Sequence, residues 1–79
     1  MKKEQVLIVE DDADIREGVR ILLESENYVV HEAENGMKGL EILDENTDLV
    51  ILDVMMPGMS GLRTCEGIRK ICNVAILFL

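Results

Sequence analysis

Apolar residues fall along this chain in short blocks separated by stretches with a different rhythm. Gln5 to Val9 (QVLIV) is a continuous apolar run that stops at Glu10-Asp11-Asp12. Such a run, without polar alternation, fits a strand buried on both faces of a parallel sheet. Tyr28 to Val30 predicts a second strand that fades through His31 and Glu32 to Ala33, Leu49 to Leu52 (LVIL) a third that ends on Asp53, and Ala75 to Leu79 (AILFL) a fourth. Between the blocks the spacing is helical. Asp14 and Glu17 form a capping box opening an amphipathic first helix, whose apolar positions Ile15, Val19, Leu22 and Leu23 follow helical spacing. Asn35-Gly36 marks a turn or cap before a second helix, with Leu40 and Leu43 inward and an end near Asn46. Met55 to Gly61 (MMPGMSG) reads as a loop. Ser60 or Gly61 starts a third helix with Leu62, Cys65, Ile68 and Cys72 inward.

The resulting order, β-α-β-α-β-α-β with short connections, predicts an α/β fold: a parallel sheet with right-handed crossovers and helices on both faces. Ligands of such sheets sit beyond the carboxyl ends of the strands, near the point where strand order reverses. Glu10, Asp11 and Asp53 all lie at such ends. The pattern therefore points to a site.

Composition narrows what that site can do. Seventy-nine residues make one small domain, and a formal net charge of −8 argues against direct nucleic-acid contact, which needs clustered Lys and Arg. Cys65 and Cys72 are seven residues apart in a predicted helix, about 10 Å along its axis, too far for a disulfide. With His31 the only histidine, a structural zinc site lacks its usual ligands, and buried free thiols are expected. Met1-Lys2-Lys3 leads quickly into acids, unlike a signal peptide, and no apolar run approaches the ~20 residues of a membrane span. A cytoplasmic protein with no membrane contact is the expectation.

The acids at the strand ends need their own account. Asp12 and Asp14 are read as solvated or as helix caps, a favoured use of Asp. Glu10, Asp11 and Asp53 differ: if strands one and three are adjacent they crowd into one pocket, and crowded like charges raise one another's pKa and are costly unless something neutralises them. An oxygen-only donor set without Cys or His favours Mg²⁺ or Ca²⁺, and carboxylates plus waters with room for a phosphate oxygen is the usual Mg²⁺ arrangement. Competing chemistries fail. The chain has no G-x-x-x-x-G-K-[ST] loop and no G-x-S-x-G elbow, and it is too short to build a glycosidase cleft around paired acids.

Three strings, taken together, resemble the receiver domains of two-component response regulators, especially those of transcription factors. They are V-L-I-V-E-D-D at the first strand, N-G before the second helix, and L-V-I-L-D-V-M-M-P-G-M-S-G around the third strand. The resemblance implies a flavodoxin-like doubly wound sheet with strands in the order 2-1-3-4. It implies that Asp53 accepts a phosphoryl group from a sensor histidine kinase, that Asp11 binds Mg²⁺ directly, Glu10 through water, and Met55 through its backbone carbonyl. It implies an acceptor that at most catalyses its own phosphoryl transfer, controlling an output such as transcription, rather than a turnover enzyme.

Family members continue past a fourth strand to a Ser or Thr, a further helix, a fifth strand bearing a Lys, and a last helix. Residues 1–79 are therefore expected to be the N-terminal part of a receiver, with the fifth strand and last two helices absent. Lys38 and Lys70 lie in predicted helices and do not replace that Lys, and Thr47 and Ala75 stand where the family often has Pro. The alternative reading is a phosphorylation-impaired piece that acts only as a self-assembling structural module. In either case AILFL carries no Lys, Pro or Gly to guard an open edge, so a homodimer or larger assembly through strand four is expected.

Overall fold

The computed structural model describes residues 3–79; Met1 and Lys2, part of the N-terminal stretch read above as unlike a signal peptide, lie outside the described residues. The apolar blocks form strands β1 (Gln5–Val9), β2 (Val29–Ala33), β3 (Leu49–Leu52) and β4 (Ala75–Phe78). The helices are α1 (Ala13–Ser25), α2 (Gly36–Ile42) and α3 (Gly61–Ile71). All three strand pairings are parallel, as the element pattern predicts, and the sheet order is β2-β1-β3-β4, as the resemblance implies.

Strand periodicity splits the core in two. Leu7, Val9, Val50 and Leu52 point to one face with Ala33, Met56 and Ile68, covered by Leu40 and Cys65 of α2 and α3 and by the residues that cap their C-termini, Leu43 and Cys72. Val6, Ile8 and Ile51 point to the other face, packed by Val19 and Leu23 of α1. β1 is buried on both faces because helices lie on both sides of it, which is why its sequence shows no polar alternation.

Several expectations need correction. The N-cap of α1 is Asp12, not Asp14: the Asp12 carboxylate accepts from the amides of Asp14 (2.9 Å) and Ile15 (3.1 Å). The helix thus starts one residue before the predicted cap, at Ala13, and Asp14 sits in its first turn, where an acid complements the helix dipole. Ile15 and Leu22 are exposed rather than inward, because only the Val19–Leu23 line of α1 meets the sheet. Helix α1 then closes in a Schellman arrangement: Tyr28 N–H donates to the Leu23 carbonyl and Asn27 N–H to that of Glu24, with Asn27 at φ 69°.

Helix α2 ends at Ile42, not near Asn46, because Asp44 and Thr47 form their own turn, with Thr47 N–H donating to the Asp44 carbonyl at 3.1 Å. In α3, Leu62 is exposed, and Thr64 takes the buried position between it and Ile68. Cys65 and Cys72 are free thiols as expected, but half-buried rather than buried. Among the described residues no helix is long and apolar enough to cross a membrane.

Candidate functional site

The parallel register decides which side chains meet. Val9 pairs with Leu52 at the last position of the β1–β3 ladder, and Asp53 N–H extends it by donating to the Val9 carbonyl at 3.0 Å. Glu10 N–H donates to the Ala33 carbonyl of β2 at 3.1 Å. The strand ends therefore hold the backbones of Glu10 and Asp53 side by side. A carboxylate oxygen from each of Glu10, Asp11 and Asp53 lies within 4.8 Å of the other two. The three acids predicted to converge do so.

Their environments differ. Glu10 is buried, Asp53 half-buried and Asp11 exposed. Burial pushes the Glu10 carboxyl up to about 7, and the adjacent Asp53 and Asp11 carboxylates add to that by favouring its protonated form, while the Asp12 amide pulls it down. Its Oε2 is buried with no hydrogen-bond partner. An orphaned buried oxygen beside two further carboxylates is unfavourable alone and well matched to a small hard cation. The donor set thus fits Mg²⁺.

The loop after β3 shapes the mouth. Met55 N–H donates to Asp53 Oδ1 at 3.0 Å, a two-residue turn that orients the carboxylate. The Met55 side chain is 83% exposed at the rim, whereas Met56 turns inward to the core. Gly58, at φ 76°, takes the left-handed conformation after Pro57. Ser60 caps α3 by accepting from the Arg63 amide, and Gly61 N–H closes the loop on the Val54 carbonyl at 3.0 Å. Gly61 lies so close to the strand end that a side-chain carbon there would overlap the Asp53 carbonyl oxygen. Beside this mouth, the α2 cap Asn35 and Met37, Lys38 and Glu41 of α2 face Pro57, Gly58 and Met59 across a shallow cavity of about 380 Å³.

Two contributors were not legible in the sequence. Gly61 reads as a helix start and as the end of the string around the third strand, but its close approach to Asp53 needs the loop to fold back. Arg16 reads as a polar position of α1, yet its Nη1 donates to the Glu10 carbonyl at 2.7 Å. Asp12 caps α1, one of the two uses read for it, and is not among the three converging acids.

Known proteins are similar to this chain in sequence and fold. Residues 6–79 match the response regulator receiver domain family. The chain is 48% identical over 75 residues to the transcriptional regulatory protein YrkP of Bacillus subtilis, covering 95% of this chain and 32% of that protein. Among solved structures it is similar to response regulator TrrA in complex with histidine kinase ThkA, at 40% identity and a TM-score of 0.85, covering 95% of this chain and 66% of that one. It is also similar to TrrA of Thermotoga maritima in complex with Mg²⁺-BeF, at 44% identity and a TM-score of 0.79, covering 85% and 59%. The chain spans about a third of the length of the curated relatives it matches. It belongs to the response regulator receiver domain family, with the flavodoxin-like sheet of that family.

Proposed function

We propose that Asp53 accepts a phosphoryl group from a phosphohistidine on a sensor histidine kinase, with Mg²⁺ held by Glu10, Asp11, Asp53 and the Met55 backbone carbonyl. The observation that carries this is the convergence of three carboxylates within 4.8 Å beyond the ends of β1 and β3, with Asp53 half-buried at the mouth. The turn through Met55 engages Asp53 Oδ1, leaving Oδ2 as the attacking atom. Oδ2 forms a new O–P bond as the N–P bond of the donor breaks, and the released imidazole nitrogen keeps that electron pair and takes a proton from solvent. A bound Mg²⁺ would neutralise charge on the transferring oxygens. Glu10 and Asp11 would hold the cation with Asp53, and α3 with its Ser60 cap keeps the Asp53 backbone in place.

The chain acts as its own acceptor rather than as a turnover enzyme. The kinase partner is supported by the TrrA–ThkA complex, and Mg²⁺ by the Mg²⁺-BeF complex of TrrA. The transcriptional names of its relatives support an output in transcription and a cytoplasmic setting, with no direct nucleic-acid contact by this acidic segment. For the 79-residue chain by itself, the other partner we assign is a second copy, in a dimer or larger assembly paired along β4. A purely structural module would have no use for three crowded acids, so the acceptor reading is the stronger.

Labelling with radioactive acetyl phosphate and Mg²⁺ tests it. Label should be released by hydroxylamine, as an acyl phosphate requires, and Asp53→Asn should abolish it. Label that persists in Asp53→Asn, on Ser60 or Thr64, would overturn the assignment.

A further inference from the structure

Neighbouring residues of an extended strand point to opposite faces of the sheet. Glu10 and Asp11 are neighbours, one buried and one exposed, yet their carboxylates meet in one pocket. The backbone must leave the extended path at the peptide that joins them. Something has to hold that peptide.

The Glu10 carbonyl belongs to this planar unit, so fixing it limits both ψ of Glu10 and the direction in which Asp11 leaves. Arg16 Nη1 donates to that carbonyl at 2.7 Å, and Arg16 Nε pairs with Glu32 Oε1 at 3.4 Å near the end of β2. On the other side, Glu10 N–H is held by Ala33. The Arg16 side chain is only 18% exposed, so these contacts are partly shielded from water. Arg20 shares Glu32, through Oε2 at 3.3 Å, but its other ion-pair partners are Glu17 and Glu24 on its own helix.

We propose that Arg16 is a positioning residue for the acid pocket, clamping the Glu10–Asp11 peptide between α1 and β2 so that both carboxylates face one cation. The planar guanidinium suits this, because it can bond a carbonyl and a carboxylate at once in a fixed geometry. Arg20 provides an internal control, since it pairs with the same Glu32 without touching the peptide.

The inference rests on the cation-pocket reading, and the experiment separates the two. Mg²⁺ affinity is measured by calorimetry, and the Asp11 amide shift and hydrogen exchange by NMR in metal-free buffer. Arg16→Ala should weaken Mg²⁺ binding about tenfold, the scale expected when a group that orients a ligand is lost. It should also move the Asp11 amide before any metal is added. Arg20→Ala should leave both near the parent's values. Arg16→Lys should fall between them, because an ammonium reaches only one of the two partners well, and it carries the test if Arg16→Ala folds poorly. Parent-like affinity and an unmoved Asp11 amide in the Arg16 variants would overturn the proposal, as would an equal loss in Arg20→Ala. If the parent itself bound no Mg²⁺, the pocket reading would fail, while the metal-free amide would still decide the role of Arg16.

Discussion

Gly61, the first residue of α3, packs directly against the carbonyl oxygen of Asp53, leaving no room for a side chain between helix and strand end. By helix propensity alone Ala is better than Gly by about 1 kcal/mol. At Gly61 the clash should outweigh that, since overpacking a close contact costs about 1–3 kcal/mol. At Gly18 of α1 nothing lies within 4 Å of the added carbon, so propensity should act alone. Urea denaturation should therefore show Gly61→Ala destabilised and Gly18→Ala stabilised by about 0.5–1 kcal/mol. The same sign at both positions would contradict this geometry.

Glu10 links the site to folding. Its carboxyl is raised from an ordinary 4.5 to about 7 in the folded chain, so between those values the folded state keeps a proton that the unfolded state has lost. Its contribution to stability is full below pH 4.5 and disappears as pH rises through about 7. In EDTA, the urea midpoint of the parent should fall from pH 5 to pH 8 by more than that of Glu10→Gln, which does not titrate. Equal falls would show that Glu10 is not the group responsible.

Asp11 is the exposed member of the cluster, so its loss should spare the fold. Asp11→Ala removes a ligand and also a repulsion. Calorimetric Mg²⁺ titration should show affinity reduced about tenfold or more, with metal-free thermal stability unchanged or slightly raised. A variant that bound Mg²⁺ like the parent would remove Asp11 from the site.

Strand β4 pairs with β3 alone among the described residues, and Leu77, Phe78 and Leu79 are exposed along it. Unpaired strand groups beside apolar side chains are a template for another chain, and the repulsion from a net charge of −8 is screened over about 8 Å at physiological salt. Sedimentation of the 79-residue chain at micromolar concentration should show a dimer or larger assembly. Substituting Leu77 by Lys should shift it towards monomer. A monodisperse parent monomer would contradict the expectation.

Much of this protein is written in residues that act locally. QVLIV and LVIL are strands wherever helices can cover them, and both appear with the predicted bounds. Strand order was legible only through the resemblance to receiver domains, since short parallel crossovers allow other orders; once β1 and β3 are neighbours, the meeting of Glu10, Asp11 and Asp53 follows. Hydrophobic spacing says which helix positions are apolar, but not which of them find a partner. Ile15, Leu22 and Leu62 have the right period and stay exposed, because packing geometry chooses only part of each stripe. The choice between Asp12 and Asp14 as cap depended on the backbone leaving β1, where Asp12 alone has the extended conformation that a cap needs. Burial of Glu10, the contact of Gly61 with Asp53 and the reach of Arg16 to the Glu10 carbonyl are all long-range or loop-closing contacts. Sequence determined which acids stand at the strand ends. Only the tertiary structure decided which of them loses its water and what holds it there, because desolvation and close approach arise from the whole packed fold.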